Sequence, residues 1–176
     1  MHWGENMATD WTALLKQEIP QPCFERPLVC DGLPDASTVI IIGENPATDV
    51  ENNWWAYWDD KKGFDYDRFI FEYKLKKPRL MGTRLRFDHI RGARIKAVET
   101  NFYRDQGPGG SKRKILNTPL LQTLINNMSD LKKIVFHGDV SISLSHKLKI
   151  PEGVDRIETR HFKIEKIETI LGHLRA

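Results

Sequence analysis

Two carboxamides, two imidazoles and a carboxylate, each directly after a short strand-like segment, carry the chemistry this chain can offer. Gly43-Glu44-Asn45-Pro46 follows the apolar run Thr38–Gly43, and Asn101 follows Ile95–Thr100. His137-Gly138 closes the run Lys133–His137, and His161-Phe162-Lys163 follows Asp155–Arg160. A carboxamide offers a donor and an acceptor together, so it can read a polar ring edge or hold a water. An imidazole can donate to developing negative charge, and a carboxylate such as Glu44 can act as a base. Each residue also has a bland role. Asn45 before Pro46 suits a turn that bonds only its own loop, and Asn101 could do the same. His137 reads first as a packed strand-end histidine. The indoles of Trp54, Trp55 and Trp58 read first as packing. No G-x-S-x-G nucleophile elbow is present.

The elements that must position these residues alternate. The runs at 38–43 and 133–137 are almost wholly apolar, as expected of strands covered on both faces. Those at 95–100 and 155–160 alternate and belong nearer an edge. Helical patterns lie between: one capped by Thr9 and running to Ile19, one opened by Asp65, one over Thr83–Ile90, one begun by Thr118-Pro119, one capped by Asp139 through Lys147, and a last one carrying Ile164 to Leu174. Residues 20–37 hold four prolines and read as an extended connection. Strands alternating with helices predict an α/β fold, a three-layer α/β/α arrangement around a short, mainly four-stranded parallel sheet, in one domain over residues 1–176 with an N-terminal helix and Pro-rich extension over 1–36. In such sheets ligands bind beyond the carboxyl ends of the strands, where the residues above stand.

Composition narrows the classes. With 176 residues, 40% hydrophobic and 29% charged, the chain is that of an ordinary globular protein. No apolar run approaches the ~20 residues of a membrane span, and no basic-then-apolar leader is seen, so the expectation is a cytoplasmic protein without membrane contact. Two cysteines, Cys23 and Cys30, are too few for a four-cysteine metal cluster; thiols are expected, with a disulfide the lesser alternative. No cofactor and no metal are expected, and the chain is expected to be a monomer. Net charge is only +3, yet Lys74 to Lys96 holds nine Lys or Arg against one acid, Asp88, and Lys112-Arg113-Lys114 follows a glycine-rich stretch. A solvated helix face explains any one such run; two together point to a polyanion such as DNA.

The order of these elements resembles the uracil-DNA glycosylase superfamily, especially its mismatch-specific and single-strand-selective branches. Gly43-Glu44-Asn45-Pro46 is similar to that superfamily's first motif, and Asn53-Trp54-Trp55 to a downstream Asn-Trp segment. Asn101 matches an Asn ending the second strand, the run into His137-Gly138 a third strand entering a glycine and a helix, and His161 a histidine loop after the fourth strand. The likeness covers roughly residues 37–176. It implies that Asn45 holds the water that attacks the sugar, with Glu44 beside it as a base, and that His161 donates to the leaving base. It implies that Asn101 reads the base edge, that Trp54 or Trp55 stacks on the base, and that Gly43 and Pro46 shape the turn against it. His161-Phe162-Lys163 stands where the superfamily has His-Pro-Ser, so Phe162 would replace the wedge that enters the duplex, with Lys163, Lys112, Arg113 and Lys114 on phosphates. A glycosylase removing uracil or a related deaminated base is therefore expected. The alternatives are a non-catalytic relative that binds nucleic acid or protein, and an enzyme of free nucleosides or nucleotides.

Overall fold

The computed structural model of the chain describes residues 7–46, 52–104 and 115–175. Strand β1 is Leu28–Val29, β2 is Val39–Gly43, β3 and β4 are Trp58–Asp59 and Gly63–Phe64, β5 is Ala97–Asn101, β6 is Lys133–His137 and β7 is Asp155–Thr159. The helices are α1 Trp11–Glu18, α2 Tyr66–Lys76, α3 Gly82–Gly92, α4 Thr118–Asn127, α5 Asp139–Leu144 and α6 Ile167–Arg175. The class is α/β. The main sheet has five strands in the order β1-β5-β2-β6-β7, and β3 with β4 forms a separate hairpin.

The four predicted strands are present and mutually parallel. The expectation of a four-stranded sheet is corrected by β1, which pairs antiparallel to β5 and makes the sheet mixed. Its two residues follow Pro27 in the segment read as a mere connection. Pro is tolerated beside a sheet edge, where one side of the strand needs no partner. The pairing is secured from the β5 side, where the Thr100 hydroxyl donates to the Pro27 carbonyl at 2.8 Å. β5 is thus an inner strand, while β7 lies at the edge as its alternation suggested.

Side chains on β2 alternate between two apolar clusters, the period-2 consequence of a strand buried on both faces. Ile40 and Ile42 pack with Val98, Ile134 and Phe136 and with Trp11, Leu15, Leu120 and Leu124 of α1 and α4. Val39 and Ile41 pack with Val135 and with Phe87, Ile90, Ile170 and Leu174 of α3 and α6. Helix ends follow local rules. Asp10, not Thr9, caps α1 by accepting from the Ala13 N–H at 3.0 Å, and Asp65 caps α2 by accepting from the Arg68 N–H at 3.0 Å. Asp139 is the first residue of α5 rather than its cap; Gly138 precedes it with φ +87°, a conformation glycine takes without strain. That helix ends at Leu144, and Ser145–Lys147 continues as a 3-10 turn. Cys23 and Cys30 are free and buried.

Among the described residues no helix is long and apolar enough to cross a membrane, and no group of three or more His, Cys, Asp or Glu could hold a metal ion.

Candidate functional site

The carboxyl ends of β2, β5, β6 and β7 lie side by side, because parallel register aligns them. Gly43 is the register partner of Asn101, and His137 that of Thr159. β2 and β6 pair from Val39–Lys133 to Ile42–Phe136, so the next rung sets Gly43 beside His137. Asn101, Gly43 and His137 therefore form one row across three strands, with glycine in the middle. A methyl group at Gly43 would stand 2.7 Å from both Asn101 Oδ1 and His137 Nε2. The missing side chain is what lets the amide and the imidazole approach. Gly43 does not have a positive φ, so space alone explains this glycine.

The loop after β2 is held against β5. The Phe102 N–H donates to the Gly43 carbonyl at 3.0 Å, and the Tyr103 N–H to the Glu44 carbonyl at 2.9 Å. The Ser141 hydroxyl, from α5, donates to the Ile42 carbonyl at 2.7 Å. These contacts carry Glu44, Asn45 and Pro46 to the wall of a cavity of about 710 Å³, whose lining also includes Asn101, His137, His161 and Lys163. Ligand clefts typically span roughly 300–1,000 Å³. The far wall comes from α2, α3 and the turn between them: Tyr73, Lys77, Arg79, Met81, Arg84 and Phe87. Lys77, Arg79 and Lys163 are exposed. The amino end of α3 faces the same space through Gly82 and Thr83, without a side-chain cap. Its free N–H groups and dipole favour anions there.

Both imidazoles are held by main-chain donors. The Phe162 N–H donates to His137 Nδ1 at 3.2 Å, and the Lys163 N–H donates to His161 Nδ1 at 3.1 Å. With Nδ1 accepting, the proton of each neutral ring belongs on Nε2. His137 is 4% exposed, stacked on Phe162 at 4.4 Å between ring centres and edge-on to His161 at 4.9 Å. Burial pushes His137 down to about 3, and the His161 ring adds in the same direction. Burial also lowers His161; the Glu44 carboxylate opposes this and the Lys163 ammonium reinforces it. Two neutral N–H donors are the result at neutral pH.

One ion pair underlies the far wall. Arg84 grips Glu99 at both ends, with N–O distances of 3.0 and 2.6 Å, and the two side chains are 7% and 11% exposed. The guanidinium also lies over the rings of Phe87 and Phe69, at 5.2 and 5.4 Å. Arg84 therefore belongs to the protein interior, not to a phosphate-binding face. Arg91 is likewise engaged, by Asp31 and Asp67.

Asn45, Glu44, Pro46, Asn101, His161 and Lys163 thus share one cavity, and Gly43 stands next to it in the chain and in register with Asn101. The Asn45 Nδ2 donates to the Pro46 carbonyl at 3.3 Å, the local bond expected of an Asn-Pro turn. Trp54 and Trp55 do not line the cavity. Trp54 is wholly buried and donates to the Leu28 carbonyl at 2.8 Å, and Trp55 packs edge-on to it and donates to the Pro20 carbonyl at 2.8 Å. The expectation that they stack on a base is corrected: their N–H groups and faces are used to fasten residues 20–28 to the core. Phe162 is also corrected as a wedge, since it is 0% exposed and fills the space under His137 and Phe87. The exposed apolar side chain at the cavity mouth is Met81. Lys112, Arg113 and Lys114 lie outside the described residues.

The amino-acid sequence offered His137 first as a packed strand-end histidine, and it gave no individual site role to Tyr73, Lys77, Arg79 or Met81. His137 carried a signal in its strand-end position. The α2–α3 residues carried only the density of basic residues between 74 and 96, of which Lys77, Arg79 and the ion-paired Arg84 reach the cavity.

No protein-family model matches the chain, and no curated protein or solved structure matches it significantly.

Proposed function

We propose that this protein is a DNA N-glycosylase that removes uracil or a related deaminated base. The reading is carried by one observation: Glu44, Asn45, Asn101 and His161, spread over more than a hundred residues of sequence, line a single cavity at the strand carboxyl ends. The likeness of Gly43-Glu44-Asn45-Pro46 to the uracil-DNA glycosylase first motif supports it, as does the exposed cationic rim of Lys77, Arg79 and Lys163.

In this mechanism the target nucleotide leaves the stack, which costs a few kcal/mol. Met81, 68% exposed at the mouth, takes the place in the stack that the sequence had offered to Phe162. Lys77, Arg79 and Lys163 hold flanking phosphates. Asn45 orients a water against the sugar C1′. As the water oxygen bonds to C1′, the electron pair of the glycosidic bond leaves with the base, and the water's proton passes to Glu44. The His161 Nε2–H donates to the ring carbonyl where charge gathers. A neutral donor, fixed in place beforehand, stabilises that charge without a proton transfer.

A duplex bearing a single uracil, hypoxanthine or xanthine tests the reading, with alkali-induced strand breakage as the signal of base loss. Asn45→Ala is expected to slow turnover while duplex affinity holds, and His161→Ala to cost about 10- to 1000-fold. Salt-sensitive DNA binding with no abasic product from any of the three bases would replace this reading with the non-catalytic one. Base release from free nucleosides without duplex binding would assign the cavity to nucleoside chemistry.

A further inference from the structure

We propose that His137 is the residue that separates oxo from amino heterocycles in this cavity, because it offers a hydrogen-bond donor that cannot become an acceptor. The inference rests on the base-binding half of the reading above and adds to it the source of selectivity.

Asn101 alone cannot make that distinction. A carboxamide carries a donor and an acceptor on opposite prongs, and turning it over exchanges them. One orientation suits a ring carbonyl next to a ring N–H, as in uracil or hypoxanthine. The other suits an amino group next to a bare ring nitrogen, as in cytosine or adenine. Among the described residues no hydrogen bond fixes the Asn101 side chain in either sense. Its carbonyl, a main-chain group, is the atom that receives Asn117 Nδ2 at 3.4 Å.

His137 lacks this freedom. Its Nδ1 receives the Phe162 N–H at 3.2 Å, a main-chain donor that cannot rotate away. Its ring is clamped between Phe162, stacked at 4.4 Å, and His161, edge-on at 4.9 Å, and only 4% of the residue is exposed. Turning the ring over would set the Phe162 N–H against a carbon. The proton therefore stays on Nε2, and Nε2 stands at the Gly43 notch beside Asn101 Oδ1, each 2.7 Å from the point a Cβ would occupy. Among the described residues Nε2 has no hydrogen-bond partner, and the ring lines the cavity. A ring edge seated in the cavity against these two side chains meets a fixed N–H at His137 and an adjustable amide at Asn101. A carbonyl satisfies the fixed donor. An exocyclic amine points hydrogen at hydrogen, leaves both donors desolvated and unpaired, and is rejected. Selectivity of this kind comes from the penalty on the wrong partner rather than from extra attraction to the right one.

Titration of the full chain with uracil, cytosine, hypoxanthine and adenine as free bases, in wild type and in His137→Gln, tests the proposal. Glutamine keeps a polar reach toward the notch but can present either prong. Wild type is expected to prefer uracil over cytosine, and hypoxanthine over adenine, by about 10- to 100-fold, with both ratios falling to about threefold or less in His137→Gln. Nitrogen-15 NMR of the wild-type ring is expected to show the Nε2–H tautomer, a measurement that stands even where the variant fails to fold. The Nδ1–H tautomer, no binding of any of the four bases, or unchanged ratios in folded His137→Gln would each overturn the inference. Selective binding without abasic product keeps it while removing the glycosylase reading. Abasic product from a uracil duplex with unchanged ratios in the variant does the reverse.

Discussion

The Phe162 N–H donates to His137 Nδ1 across 3.2 Å, and this contact ties the end of β6 to the loop that follows β7. It fixes a ring that is otherwise a liability. A buried imidazole is held neutral, and a second ring proton, on Nδ1, would point straight at the Phe162 N–H. The same contact makes the ring chemically single-minded, with one nitrogen closed by the main chain and the other open to the cavity.

Acid stability should therefore depend on His137. Its folded pKa of about 3 lies below the ~6.5 of an unfolded histidine. Between those values the unfolded chain binds a proton that the native state refuses. Stability is full above the unfolded value and is lost as pH falls toward the folded one. The contribution is up to about 1.4 kcal/mol for each pH unit in that window. Carboxylates and His161 add slopes of their own, so the informative quantity is the difference between wild type and His137→Gln. Urea unfolding at pH 7, 6 and 5 should show the wild type losing stability faster than the variant; parallel curves would mean that the ring titrates normally.

Gly43→Ala should damage the site more than the fold. The added methyl would meet Asn101 Oδ1 and His137 Nε2 at 2.7 Å and His137 Cε1 at 3.0 Å. His137 cannot yield, being clamped between two rings, so Asn101 must turn away or β2 must shift. Overpacking of this kind costs about 1–3 kcal/mol. Binding of uracil as the free base should drop well beyond what that loss explains, and a variant that binds as wild type does would show the notch to be unused.

These relationships were unevenly visible in the amino-acid sequence. β2 and β6 announce themselves because a strand buried on both faces must be apolar throughout, and residues after them are then placed by topology. β1 is hidden because its two residues sit among prolines and its pairing is dictated by the free edge of β5. The indoles of Trp54 and Trp55 could have faced a cavity or the core; local pattern is the same in both cases, and the carbonyls of Leu28 and Pro20 decide it. His137 was read as a packed histidine, which it is; that it also opens on the cavity depends on the glycine in the neighbouring strand.

Arg84 and Glu99 offer a test of the far wall. Each is almost fully buried, and their two-pronged contact is the compensation for removing both charges from water. Glu99→Gln leaves the guanidinium charge buried without its counter-ion, which should cost about 3–5 kcal/mol in urea unfolding. Replacing both with apolar side chains, as Arg84→Met with Glu99→Leu, should recover most of that loss. A cost under about 1 kcal/mol for Glu99→Gln would show that the charge is solvated and that the pair is not the support of α3.

Electrostatics at the mouth should separate by location. Lys77, Arg79 and Lys163 rim the cavity, whereas Lys96 is also exposed but precedes β5, at the strand end opposite Asn101. If the rim holds phosphates, each contact releases counterions, and log affinity for duplex DNA falls against log salt by about 0.9 per phosphate. Lys163→Glu and Arg79→Glu should therefore each weaken binding and reduce that slope by about one, whatever the DNA sequence. Lys96→Glu changes net charge by the same amount and should leave the slope alone. Equal losses from Lys96→Glu and Lys163→Glu would mean that DNA senses only the overall charge, and the cavity mouth would lose its claim to be the path along which a strand is held.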